Sequence, residues 1–248
     1  RNLARCLNSL ERFDEIIVLD SNSTDKTPEI AQSFGATYIP FQWNGQYPKK
    51  RQWALDHISC KHDRIFFIDA DEEATEALCT EIEALDWKCG GYFVRGLYVV
   101  DGNVLRFGFE NKKLCLFDRR CFHFPVVDDL DISGMGEIEG HYQPVPLSNR
   151  CGKIPVLKNP VLHHALEDRD RYERRHQGYA LWQKGMSERN AYPADPVRWR
   201  QWAKILYRKI PAKDLFLFLY FYIGRRGFLE YKNNLAIYKE KRKYHIPK

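Results

Sequence analysis

The chain has 248 residues, 44% of them apolar and 29% charged, which excludes a disordered tail, a collagen-like repeat and a disulfide-knotted miniprotein. That length buries roughly three quarters of the surface of the unfolded chain, enough for one sizeable core with or without an appendage. The formal charge of +6 conceals a split: residues 196–248 hold 14 Lys or Arg against 3 Asp or Glu, a net of +11, and the remainder is net −5. An acidic body with a basic tail points to catalysis or binding in front and attachment to something anionic behind.

Residues 2–10 place Leu3, Cys6, Leu7 and Leu10 at helical spacing. Residues 14–20, D-E-I-I-V-L-D, form an uninterrupted β-branched run, as expected for a parallel strand covered on both faces. Ser21 to Asp25 is a loop rich in helix-capping residues, and a helix over 27–34 stops at Gly35. A strand over 36–39, a helix over 50–57 and a buried strand over 64–68 follow. This alternation predicts an α/β sheet of mostly parallel strands. A helix is predicted over 73–85, then antiparallel-looking strands over 90–100 and 113–117. Residues 125–140 are acidic and contain glycine, and a last strand covers 156–164. From residue 169 the chain reads as helical, broken by Pro193, Pro196 and Pro211.

Seven cysteines, an odd number with no C-x-x-C spacing, fit neither a disulfide framework nor a zinc site. No apolar leader is visible at Arg1, so a reducing cytoplasm is the expected compartment. The longest apolar run, residues 215–223, is too short for a membrane span of about twenty residues.

The most informative stretch is Ile65-Phe66-Phe67-Ile68-Asp69-Ala70-Asp71-Glu72, in which carboxylates begin where an apolar strand leaves the sheet. Residues i and i+2 of an extended segment point to one side, so Asp69 and Asp71 can converge in the crevice at the strand ends. Two carboxylates without a thiol favour a hard cation, Mg²⁺ or Mn²⁺, that reaches for phosphate oxygens. The alternative is a solvated strand end that caps the next helix. Asp20-Ser21-Asn22-Ser23-Thr24-Asp25 also follows a strand. Asp20 there can accept from a nucleobase N–H while serines and helix amides meet ribose or phosphate oxygens, or the segment is an ordinary capping loop.

These two motifs, with residues 2–10 and the segment Trp43-x-Gly45-x(2)-Pro48-Lys49-Lys50-Arg51-Gln52-Trp53, resemble the inverting family-2 glycosyltransferases. The likeness is greatest to the bacterial branch that includes lipopolysaccharide-core glucosyltransferases. It implies a GT-A fold: a Rossmann-like mixed sheet flanked by helices over residues 1–168, followed by a basic, aromatic helical region over 169–248. Family members begin with a strand that precedes the equivalent of Asn2, so that strand is expected to be missing here. The resemblance assigns the base of a UDP-sugar to Asp20, with Ser21, Ser23, Lys49 and Arg51 beside the donor. Asp69 and Asp71 take ribose and metal. Aligning the family's catalytic carboxylate and later leucine-histidine pair puts the base on Glu139 and an auxiliary metal or phosphate ligand on His163. Glu137 and Asp129 compete with Glu139, and His164 with His163, because the family's His before the Glu is Ile138 here and His141 follows instead.

The implied reaction is metal-assisted, inverting transfer of a sugar to a lipid-linked saccharide in bacterial cell-surface glycan synthesis. The implied location is the inner face of the bacterial inner membrane, without nucleic acid. Trp199, Trp202, Ile205 and Leu206 interleave with Arg198, Arg200, Lys204 and Arg208, which suits an anionic lipid surface or a packed helical layer. The rivals are a nucleotidyltransferase, for which no glycine- and lysine-rich phosphate loop is visible, and a non-enzymatic scaffold that binds membrane or nucleic acid through the tail.

Overall fold

The structure, a computed structural model, describes residues 2–100, 102–104, 111–139, 142–148, 151–164, 169–189 and 191. The basic tail, its prolines and His141 lie outside the described residues. Two compact units are present. The first contains residues 2–104, 111–124 and 144–164, and the second contains 125–139, 142–143 and the helix that starts at residue 169.

In the first unit, α1 (Asn2–Asn8), β1 (Ile17–Asp20), α2 (Thr27–Ser33), β2 (Thr37–Pro40), α3 (Lys50–His57) and β3 (Arg64–Phe66) alternate as the sequence predicts. They continue into β4 (Glu72–Ala74), α4 (Glu76–Glu83), β5 (Gly91–Val100), β6 (Asn103–Val104), β7 (Asn111–Asp118), β8 (Phe122–His123), β9 (Val145–Pro146) and β10 (Val156–His163). β1 and β2 pair in parallel, with Asp20 opposite Pro40. The main sheet has the order β3-β7-β5-β10-β4, with β6 on β5, and β8 and β9 form a separate short ladder.

This is the expected class, a GT-A-like mixed sheet flanked by helices, but three details differ from the sequence reading. In the main sheet only β5 and β10 run parallel; β3, β7 and β4 join antiparallel. The apolar runs at β1 and β3 are half-buried rather than covered on both faces, since β1 has one strand neighbour and β3 is an edge strand among the described residues. The helix predicted from residue 73 starts at Glu76, after Thr75 caps it by accepting from the Leu78 amide at 3.2 Å. Residues 72–74 pair with β10 instead.

α1 joins the layers. Leu7 packs with Ala31 and Ala36 beside α2 and β2, while Cys6 and Leu10 join Leu78, Val94, Leu116 and Val161 of the main core. Adjacent Cys6 and Leu7 face opposite clusters from one helix, and Leu10, in the turn that follows it, adds to the main core. β5 and β7 approach so closely that a Cβ on Gly91 would lie 2.8 Å from the Cβ of Phe117, which is fully buried.

The second unit is a loop laid on α5 (Arg169–Glu188). A Cβ on Gly134, whose φ is +113°, would fall 2.0 Å from the Gly178 carbonyl oxygen, so two backbones touch there. The Trp182 indole N–H donates to Asp129 Oδ2 at 2.7 Å, Ile132 lies against Gly185, and Arg189 donates to Asp131 Oδ1 at 2.8 Å. Positions 178, 182, 185 and 189 fall on one helical stripe.

Replacing Gly91 by Ala forces β5 and β7 apart and is expected to destabilise the first unit by about 1–3 kcal/mol. A lower urea midpoint at unchanged slope in equilibrium unfolding checks this.

Candidate donor site at the strand ends

Asp20 closes β1 and is the buried residue of that strand. Its Oδ2 accepts from the Ser23 amide at 2.7 Å and from the Tyr38 hydroxyl at 3.0 Å, and its Oδ1 from the Ser23 hydroxyl at 2.6 Å. Asn22, at φ 56°, makes the turn that folds the loop back onto the carboxylate. Burial works against the charge on Asp20, but the Ser23 and Tyr38 hydrogen bonds and nearby Lys50 outweigh it and hold the carboxyl below its ordinary range.

Asp69 lies three residues beyond β3. The segment is a turn rather than the extended run expected from the sequence: the Glu72 amide donates to the Asp69 carbonyl at 2.8 Å, and Glu72 Oε2 accepts from the Asp69 amide at 3.0 Å. The turn gives the two aspartates different partners. Asp69 Oδ1 accepts from Arg51 at 2.7 Å and Oδ2 from Lys113 Nζ at 2.8 Å. Lys113 Nζ also lies 2.6 Å from Glu72 Oε1, on a carboxylate only 1% exposed. Burial acts to raise Asp69, yet the Lys113 and Arg51 charges hold its carboxyl well below the usual carboxylate range. Burial likewise acts to lower Lys113, and Asp69 and Glu72 hold it above the usual lysine value instead.

Asp71 faces His163, the last residue of β10, with Oδ1 3.5 Å from Nε2. The His163 ring stacks on Tyr98 at 5.0 Å between centroids, and its buried Nδ1 has no hydrogen-bond partner among the described residues. His164 turns to Glu73, 2.9 Å away. The 3.5 Å separation is long for a hydrogen bond but near the roughly 3 Å between adjacent ligands on an octahedral ion bound at about 2.1 Å. Among the described residues no group of three His, Cys, Asp or Glu forms a metal cluster. Asp71 and His163 could together supply two protein ligands to a divalent ion. Asp69 is committed to two cations.

α3 links the two loops. Lys50 donates to the Ser21 hydroxyl at 2.6 Å and Arg51 reaches Asp69, so consecutive residues of one helical turn hold the end of β1 and the end of β3. Lys49 is 1% exposed, with Nζ 5.5 Å from the Tyr47 ring centroid and 6.0 Å from that of Trp43. Sequence reasoning placed Lys49, Lys50 and Arg51 together beside the donor and did not single out Lys113, Glu72 or Tyr38. Lys113 had a structural signal only: the β3–β7 register pairs Phe66 with Leu116, and its continuation sets residue 69 opposite 113.

In the second unit Glu139 is 1% exposed, Asp129 is buried with the Trp182 indole donating to it, and Glu137 is half-buried.

A model of the family described as glycosyl transferase family 2 matches residues 1–119, which contain Asp20, Lys50, Arg51, Asp69, Asp71 and Lys113. An uncharacterized glycosyltransferase of Rickettsia bellii is 44% identical over 82 residues, covering 33% of this chain and 27% of that protein. The lipopolysaccharide core biosynthesis glycosyltransferase LpsC of Rhizobium meliloti is 40% identical over 81 residues, covering 31% of this chain and 29% of LpsC. The chain thus spans under a third of the length of these curated relatives. The crystal structure of S. aureus TarS aligns with a TM-score of 0.44 at 16% identity, over 100% of this chain and 47% of TarS. No helix among the described residues is long and apolar enough to cross a membrane.

Because the Asp20 carboxyl is depressed on folding, its contribution is full above the ordinary value of 3.8 and is lost as the pH falls through the lower folded value. Asp20→Asn is expected to cost about 1–2 kcal/mol at pH 7, with the gap to wild type closing below pH 3.8. Urea unfolding of both proteins across that range measures it.

Proposed function

We propose that this chain transfers a sugar, with inversion, from a nucleoside diphosphate sugar to a lipid-linked saccharide in bacterial cell-surface glycan synthesis. The observation that carries the reading is the convergence of three family motifs through α3, where Lys50 holds Ser21 and Arg51 holds Asp69. The similarity to LpsC, by its name a lipopolysaccharide core biosynthesis glycosyltransferase, supports the glycan class.

In this reading Asp20 accepts from the donor base, uracil in a UDP-sugar, after exchanging the Tyr38 or Ser23 hydrogen bond. Ser21, Ser23 and Lys49 line the nucleotide side, Asp69 faces ribose, and Arg51 orients Asp69. Asp71 and His163 hold Mg²⁺ or Mn²⁺, which when bound supplies Lewis-acid neutralisation of the departing diphosphate. Glu139 takes the proton of the acceptor hydroxyl as the acceptor oxygen bonds to the sugar C1. The C1–O bond to the diphosphate breaks, and its electron pair leaves with the phosphate. No covalent intermediate forms, which accounts for inversion. The buried position of Glu139 suits a base that must be shielded from water until the acceptor arrives, and the α5 stripe holds the loop that bears it. On this reading the basic residues 196–248 meet an anionic membrane surface, an assignment made from their sequence alone, and the protein lies peripherally at the inner face of the membrane.

Glu139→Gln is expected to leave UDP-sugar affinity near wild type and to lower kcat by roughly 10²- to 10⁴-fold. Binding is read by calorimetry and transfer by product analysis with a panel of sugar nucleotides and membrane lipid extract. Full activity in the variant would move the base to Glu137 or Asp129.

A further inference from the structure

We propose that Lys113 is a diphosphate-binding residue held in reserve: Nζ rests on Asp69 and Glu72 in the free protein and passes to a phosphate oxygen when a nucleoside diphosphate binds. The inference rests on the donor-site reading above and extends it to a residue outside the recognised motifs.

Three observations support it. Nζ lies 2.8 Å from Asp69 Oδ2 and 2.6 Å from Glu72 Oε1, so a full positive charge stands beside the turn that leads to Asp71 and His163. Asp69 is 43% exposed whereas Glu72 is buried, so the solvent-facing partner of Lys113 is the one a ligand meets first. Exchange of Asp69 for a phosphate leaves Nζ on Glu72, within the reach of a flexible four-carbon stem, and leaves Asp69 with Arg51 and its ribose-facing role.

The charges explain why such a reserve is useful. Asp69, Asp71 and Glu72 carry three negative charges against two positive ones from Lys113 and Arg51. A divalent ion entering alone meets a cluster that Lys113 has largely neutralised. A diphosphate entering with the ion brings the anion to which Lys113 can turn. Lys113 thereby disfavours the bare ion and favours the ion with nucleotide, so its removal must shift the two affinities in opposite directions. A lysine that only supported the turn would lower both.

The test uses the full chain, with Mn²⁺ binding read by electron paramagnetic resonance and UDP binding by calorimetry in the presence of Mg²⁺. Lys113→Met is expected to weaken UDP by about 10- to 100-fold and to tighten free Mn²⁺ on the order of 5-fold. Lys113→Arg is expected to keep UDP affinity within a few-fold, since charge is retained. Lys113→Met leaves a buried carboxylate at Glu72, so the double variant Lys113→Met with Glu72→Gln guards against misfolding. It is expected to bind UDP weakly while returning Mn²⁺ affinity to wild type. Wild-type UDP affinity in either methionine variant, or a parallel loss of Mn²⁺ and UDP in the double variant, overturns the inference and leaves the donor site standing. Absence of UDP binding by the wild-type chain with Mg²⁺ overturns the donor-site reading and this inference with it.

Discussion

The turn from Asp69 to Glu72 folds two carboxylates against each other, and one of them, Glu72, is almost entirely removed from water. An uncompensated buried carboxylate costs several kcal/mol, so the fold must bring cations to that corner. It does so from two directions. β7 runs antiparallel to β3 and delivers Lys113, and the first turn of α3 delivers Arg51. The sheet order β3-β7-β5 and the position of α3 are thus bound to one electrostatic requirement at the end of β3. Meeting it leaves Asp71, the other acidic residue of the turn, to face His163.

The same helix turn extends the constraint to the other strand end. Lys50 holds Ser21 while Arg51 holds Asp69, so the loops after β1 and β3 move with α3. Asp20 is meanwhile prepared as an acceptor by three short hydrogen bonds from Ser23 and Tyr38, which keep it ionised. Under the proposed function, such pre-placed charged groups would spare a nucleotide part of the ordering cost of binding. In the second unit a backbone contact between Gly134 and Gly178 and a buried indole hydrogen bond from Trp182 to Asp129 hold the loop against α5.

Much of this was legible in the sequence because strand ends announce themselves. An apolar run followed at once by carboxylates located Asp20, Asp69 and Asp71, and the elements around them fall close to their predicted places. The family resemblance supplied His163, which the structure sets beside Asp71. What could not be read was anything fixed by pairing between distant strands. Lys113 looks like one of two lysines in an alternating strand, and only the antiparallel register places it opposite Asp69. The different partners of Lys49 and Lys50 depend on how the chain enters α3, where Lys49 lies near the Tyr47 and Trp43 rings and Lys50 reaches Ser21. The expectation of parallel strands held for β1 with β2 but not for β3, for a related reason: short apolar runs look alike whichever direction their neighbours take.

The measurement that bears most directly on the account is anomalous X-ray diffraction at the manganese edge from crystals of the chain grown with UDP and Mn²⁺. The account predicts an anomalous peak about 2 Å from both an Asp71 carboxylate oxygen and a His163 ring nitrogen, with the diphosphate on the same ion. A nucleotide bound at the end of β1 with no manganese between Asp71 and His163, or with the ion held elsewhere, would contradict it.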